Sequence, residues 1–212
     1  MAYNPLFDAD IKATLKRYPA LGIVKHGKER YLKGILDICN KEKECLGSFA
    51  IEIKGSIGYP FEFPVAYEVG GDIPAEPDFH KYQDNSLCID VRASEIMKCH
   101  SGITIVRFIE NELIPFLANQ LYRKETGQYL NEYSHGINGI RQFYCELLKT
   151  EEVGLWIRCV KQAFSPKEIL RNDICYCGSG IKYKKCHEQI DEKLRQVGKE
   201  QILNDFKILR VL

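Results

Sequence analysis

The spacing of apolar residues along the chain runs from helical to alternating and back to helical. Leu6, Ile11, Leu15 and Tyr18 recur at helical spacing, Pro5 suits a first helical turn, and Asp8 and Asp10 lie near the positive end of the macrodipole. A helix is therefore predicted over residues 5–18. Three strand-like runs follow. Residues 31–38 read YLKGILDI; in 48–54, Phe49, Ile51 and Ile53 alternate with Ser48, Glu52 and Lys54; in 63–69, Phe63, Val65, Tyr67 and Val69 share a face. Their short connections predict an antiparallel meander with one apolar face, which helices are expected to cover. From Asp72 to Cys88 the pattern is irregular and contains Pro74 and Pro77, as in a long functional loop. Helical spacing returns over 103–122 through Val106, Ile109, Leu113, Leu117 and Leu121, and Pro115 should kink this run or start a second helix. Ile140, Phe143, Leu147 and Leu148 predict a helix over 138–149, entered through His135 with Asn138 as its N-cap. The segment FSPKEILRND at 164–173 reads as a boundary. A last helix is expected over about 188–210, where Ile190, Leu194, Val197, Ile202, Phe206 and Leu209 form one stripe.

A chain of 212 residues with 45% hydrophobic content suits one domain of about 150 residues and an appendage. A domain of that size buries enough surface to fold without staples. Lys and Arg (30) nearly cancel Asp and Glu (29), so the net charge of +1 points to neither a nucleic-acid partner nor a membrane surface. No apolar run approaches the roughly 20 residues of a membrane helix, and the first residues lack the apolar core of a signal peptide. A cytoplasmic location is expected. There the nine cysteines should be thiols or metal ligands, not a disulfide framework.

Cys88 stands at the end of the polar loop, eight residues after His80, in the stretch YPFEFPVAYEVGGDIPAEPDFHKYQDNSLCID. Thiolate, not thiol, is the nucleophile, so a working cysteine needs neighbours that position or ionise it. His80 can order the loop through a backbone hydrogen bond or favour the thiolate electrostatically. Asn85 can offer its amide to an oxyanion. Free cysteine is also among the most buried residue types, and spacing alone leaves a core role ahead of a catalytic one.

Tyr59-Pro60-Phe61-Glu62-Phe63-Pro64, the histidine loop and Cys88-Ile89-Asp90, in the order helix, meander, loop, helices, resemble the ubiquitin-conjugating (E2) family. The resemblance implies an α+β, E2-like fold over residues 1–160. It also implies a cysteine acyltransferase that carries the C-terminus of a protein partner as a thioester on Cys88, assisted by His80, and passes it to an amine. His80 is followed by Lys81 and Tyr82 where the family has Pro and Asn, so the family's oxyanion asparagine has no counterpart at its usual place. Trimmed loops of this kind resemble bacterial E2-like proteins, including those of cyclic-oligonucleotide anti-phage signalling (CBASS). In that setting the partner is a ubiquitin-like protein or a nucleotidyltransferase (CD-NTase), with a separate activating (E1-like) enzyme. Two other classes stay open: a catalytically idle E2-like binding module, and an adaptor in which the C-terminal region is primary.

That region, residues 161–212, contains Cys175-Tyr-Cys177-Gly-Ser-Gly and then Lys185-Cys186-His187. Cys-x-Cys presents two thiolates from one tight turn, Gly178 and Gly180 let the backbone wrap an ion, and Cys186-His187 supplies the other pair. Four filled positions leave no open site, so a structural zinc is expected on Cys175, Cys177, Cys186 and His187. The run CYCGSGIKYKKCH resembles the SEC-C motif, a zinc-binding tail. Cys39, Cys45, Cys99, Cys145 and Cys159 have no partner spacing and are expected to be core or surface thiols. Trp156 is expected in a core or at an interface, and His26 in an exposed turn.

Overall fold

Asn4 starts the first helix, α1 (Pro5–Arg17), by accepting the Leu6 and Phe7 amides on its side-chain oxygen, while its amide nitrogen reaches the Ser56 and Tyr59 carbonyls. One side chain thus caps the helix and ties it to the chain just before the YPFEFP segment. The computed structural model describes residues 4–130 and 136–211; His135 lies outside them.

Four strands follow: β1 (Leu21–His26), β2 (Glu29–Cys39), β3 (Cys45–Lys54) and β4 (Val65–Glu68). They form one antiparallel sheet in the order β1-β2-β3-β4, the predicted meander with one strand more. β1 escapes the alternation test because it is an edge strand on which only Leu21 is buried. Gly27, at φ 62° in the first position of a two-residue turn, supplies the positive φ that joins β1 to β2. Leu32, Leu36, Phe49, Ile51 and Ile53 line the buried face, where they cluster with Phe7 and Ile11 of α1.

β4 is buried on both faces, with Tyr67 on the predicted one and Ala66 and Glu68 on the other. Ala66 pairs with core-facing Ile53, and Tyr67 pairs with Glu52 on the other face, where the Lys54 ammonium lies 4.5 Å from the Tyr67 ring. Val69 is exposed, whereas Glu68 is fully buried. A buried carboxylate among aromatic neighbours inverts the hydrophobic signal, and its partner lies outside the strand.

The predicted helix around Pro115 is a continuous helical run made of α3 (Ile105–Phe108), a π-helical turn (Ile109–Leu113) and α4 (Ile114–Thr126). Pro115 has no N–H to give its preceding turn, and its ring crowds the carbonyl four residues back. The π turn absorbs this misfit: the Ile114 amide bonds the Ile109 carbonyl, five residues earlier. Ile105, Phe108, Ile109, Leu113 and Leu117 of this run complete the core over the sheet.

Packing divides the chain into two units, Met1–Asp90 with Lys98–Glu132, and Val91–Met97 with Tyr133–Leu212. The second is helical. Besides part of α2 (Arg92–Cys99), it contains α5 (Gly136–Leu148), α6 (Val153–Ala163), α7 (Glu188–Val197) and α8 (Lys199–Ile208). In its core Tyr144 and Trp156 pack together with Leu194, Ile202 and Phe206. The Tyr144 hydroxyl donates to Asp205 at 2.8 Å, and the Trp156 ring nitrogen donates to the Thr150 carbonyl at 2.9 Å. Asn138 lies inside α5 and is not its cap. The single C-terminal helix expected from the apolar stripe is two, because Gly198 at φ 88° ends α7.

Glu68 and Lys81 organise the segment between β4 and α2. Their carboxylate and ammonium meet at 2.5 Å, with side chains 0% and 2% exposed. Glu68 also accepts the Gly70 amide at 2.6 Å, and Lys81 donates to the Ile73 carbonyl at 2.9 Å. Burial pushes the Glu68 carboxyl up; the Lys81 ammonium and the Gly70 and Ile73 amides outweigh it and hold the group below its ordinary value of 4.5. Stability from this group is therefore present above that value and lost as the pH falls through the lower, folded one. Lys81→Ala strands a buried charge and should lower the unfolding free energy by about 3–5 kcal/mol near neutral pH. Urea melts from about pH 7 to about pH 3 should show an acid-side loss in the wild type that is smaller in Glu68→Gln; equal slopes would contradict this assignment.

Candidate functional site

The residues before Cys88, which read as irregular loop, form a short hairpin. The Cys88 amide donates to the His80 carbonyl at 2.8 Å, Lys81 pairs with Leu87, and the Tyr82 amide donates to the Ser86 carbonyl at 2.9 Å. Its turn follows from the residues Gln83-Asp84-Asn85. Asp84 accepts both the amide and the hydroxyl of Ser86, and Asn85 takes the left-handed conformation, φ 67°, that closes a three-residue loop. The same segment adds to the free edge of β4: the Glu68 amide donates to the Asn85 carbonyl, and the Leu87 amide donates to the Ala66 carbonyl.

Strand alternation then sorts the hairpin side chains. Lys81 and Leu87 point inward and are buried, whereas His80, Tyr82, Ser86 and Cys88 are exposed or half-buried. Tyr82 and Cys88 are diagonal cross-strand neighbours, a separation that an aromatic side chain spans. The Cys88 side chain beside it, first as a hydrogen-bond partner and then through the charge it can carry, pushes Tyr82 up to about 12, so the phenol keeps its proton at neutral pH. His80 is also left-handed, φ 53°, and its ring stands edge-on to Phe116 and Tyr129, with centroids 6.2 and 5.6 Å away. Asp90, two residues past Cys88, receives Lys98 at 2.7 Å, and Lys98 also reaches Glu112 at 2.7 Å. A cleft of about 740 Å³ in this unit, lined by Phe49, Ile73, Phe79 and Arg123 among others, includes neither Cys88 nor His80.

The fold joins Cys88 and His80, the two residues that spacing singled out, through the backbone; spacing gave no notice of Tyr82, Lys81 or Glu68 around them. The alternation of Lys81, Leu87 and their neighbours was the available signal for Tyr82, hidden by the lysine at a buried position.

The second candidate site lies in the helical unit. A bridge between Ile174 and Lys182 closes a tight loop, with Gly178 and Gly180 at φ 84° and 72°. The one-turn helix Tyr183–Lys185 delivers Cys186 and His187 directly ahead of α7. The donor atoms of Cys175, Cys177, Cys186 and His187 all lie within 4.8 Å of one another. His187 Nδ1 is 3.3 Å from Cys175 Sγ and 3.1 Å from Cys186 Sγ, and Cys177 Sγ is 3.6 Å from Cys186 Sγ. A tetrahedral thiolate–imidazole site has edges of about 3.5–3.8 Å, so the cluster fits one metal ion after small movements.

Burial pushes the Cys175 thiol up to about 12, whereas Cys177 is held down at about 7, where hydrogen bonds from Ser179 outweigh burial. Burial lowers His187, which favours the neutral, ligating imidazole. A metal ion would deprotonate the resistant thiol and release protons as it bound. Around the cluster, the Tyr176 and Tyr183 hydroxyls donate to the two oxygens of fully buried Asp191, at 2.7 and 2.8 Å. The Tyr176 ring packs 5.1 Å from that of His187.

Among comparisons with known proteins, the family model for the SEC-C motif matches residues 171–189. Nothing among curated proteins or solved structures matches the chain. Among the described residues, no helix is long and apolar enough to cross a membrane. The purified protein should carry a single metal ion, measured by inductively coupled plasma mass spectrometry. Cys175→Ser should lose most of it, and a chelator should lower the melting temperature of the wild type but not of that variant.

Proposed function

We propose that the chain is an E2-like cysteine acyltransferase that carries a partner's C-terminal acyl group on Cys88, with a structural zinc ion in its C-terminal knuckle. The observation that carries this reading is Cys88 itself: half-buried, presented on the outward face of a hairpin, diagonally across from the Tyr82 phenol. The helix, four-strand meander and YPFEFP segment that precede it support the E2-like assignment. Zinc suits a set of three thiolates and an imidazole with no open position.

The donor reaches Cys88 already activated, as a thioester on a separate E1-like enzyme. Cys88 Sγ adds to the carbonyl carbon as thiolate, and the activating enzyme's thiolate leaves. An amine then adds to the Cys88 thioester, Cys88 leaves as thiolate, and the amine proton passes to solvent. Each addition places negative charge on the carbonyl oxygen. Tyr82 holds a proton next to the reacting sulfur and supplies the donor that the family's asparagine supplies elsewhere. The Glu68–Lys81 pair keeps the hairpin rigid, so sulfur and phenol need little reordering at the moment of reaction. By resemblance, a ubiquitin-like protein or a CBASS nucleotidyltransferase is the donor, in a bacterial anti-phage setting.

A second reading has one observation in its favour, the SEC-C match. A binding module would use the knuckle, where Lys182, Lys184 and Lys185 are exposed, to meet an acidic partner. Removing residues 170–212 would not test it, because Leu194 and Phe206 belong to the second core. Charge reversal at the three lysines spares that core.

Protein isolated without reductant from cells that hold its partners should carry an acyl adduct that hydroxylamine removes, seen by intact-mass spectrometry. Cys88→Ala should carry none, and Tyr82→Phe should discharge the adduct to amines at least about tenfold more slowly. An adduct formed equally on Cys88→Ala would remove the reading. Lysine charge reversal that abolishes partner capture, with Cys88→Ala silent, would favour the binding module.

A further inference from the structure

Two cysteines outside both sites face each other where β2 turns into β3. Cys39 ends β2, Cys45 begins β3, and the ladder pairs them directly, next to an irregularity at Ile38/Cys39. Both are exposed. The Asn40 amide donates to the Glu44 carbonyl at 3.0 Å, which makes 39/45 the adjoining, non-hydrogen-bonded rung. Opposed α-carbons on such a rung are about 4.5 Å apart, at the short end of the range a disulfide spans. The turn holds this spacing firmly. Asn40 Oδ1 accepts the Glu44 amide at 2.9 Å, Asn40 Nδ2 donates to the Glu44 carboxylate at 2.8 Å, and Lys43 takes φ 66°. Cys45 Sγ also lies 3.5 Å from the Gly47 carbonyl and 3.9 Å from the Ser48 hydroxyl.

We propose that Cys39 and Cys45 form a reversible dithiol–disulfide couple that accepts oxidising equivalents from a low-molecular-weight disulfide such as glutathione disulfide. The Cys45 thiolate attacks one sulfur of the disulfide; a Cys45–glutathione bond forms, the glutathione S–S bond breaks and one glutathione thiolate leaves. The Cys39 thiolate then attacks Cys45 Sγ, the intramolecular bond forms and the second glutathione thiolate leaves. Two cysteine thiols are oxidised, one disulfide is reduced to two glutathiones, and the two cysteine protons end on them.

The bridge is suited to exchange and not to stapling. It closes only residues 40–44, already held by Asn40, so it removes little chain entropy. The short rung and full exposure also favour reduction, since strained, accessible disulfides are the labile ones.

The test uses the full-length, metal-loaded protein in glutathione buffers of increasing disulfide fraction, quenched by alkylation and digested with trypsin. Lys41 and Lys43 lie between the two cysteines, so cleavage separates them and a bridge appears as two linked peptides. The linked pair is expected to rise to most of the signal with oxidised glutathione and to disappear with excess reduced glutathione. Cys39→Ser should accumulate glutathione on Cys45. Separate glutathione adducts in the wild type, persistent free thiols, or a link that excess glutathione does not reverse would each overturn the proposal. Circular dichroism on the variant keeps misfolding from imitating a negative result.

Discussion

The ion pair between Glu68 and Lys81 decides what the first unit presents to its surroundings. Two charges removed from water cost several kcal/mol each, and they persist only where attraction and extra hydrogen bonds make up the loss. Here the Gly70 amide and the Ile73 carbonyl provide those bonds, so the pair gathers the turn after β4 around itself. Lys81 belongs to a hairpin strand. Once it points inward, alternation sends His80 and Tyr82 outward, and pairing sends Cys88 with them. The chemistry available to Cys88 is therefore a geometric consequence of a buried charge that never touches it.

The helical unit uses the same device with different groups. Asp191 and Asp205 are both buried, and each is satisfied by phenols or an amide: Tyr176 and Tyr183 on one, Tyr144 and Gln201 on the other. Burial raises both carboxyls, and hydrogen bonds oppose it without cancelling it. Tyr176 ties the knuckle to its own helices, because its hydroxyl donates to Asp191 on α7. The Cys/His cluster is thus the rim of a core and not an isolated tail. That explains why the second packing unit reaches back to α5 and even to Val91–Met97.

How much of this was legible depends on whether the signal is local. Periodicity found α1, the strands at 31–38 and 48–54, and the helical run around Pro115, because each carries its own apolar face. It saw only one of the two buried faces of β4, since Ala66 is small and Glu68 is charged, and both owe their burial to partners elsewhere. It missed α6, where Trp156 and Cys159 are buried by helices distant in sequence. It ran α7 and α8 together although Gly198 marked the break, because the apolar stripe continues across it.

For the sites the division is similar. The sequence by itself picked out the Cys/His cluster, because Cys175, Cys177, Cys186 and His187 fall within thirteen residues and two glycines permit the turn. It also singled out Cys88 and the turn chemistry of Asp84 and Asn85. Only the tertiary structure decided which side of the hairpin faces out, that Tyr82 lies diagonally across from Cys88, and that Cys39 and Cys45 stand on one rung. The reason is physical: ligand spacing and turn propensity act over a few bonds, whereas strand register and the inward turn of Lys81 are chosen by burial energies summed over partners far along the chain.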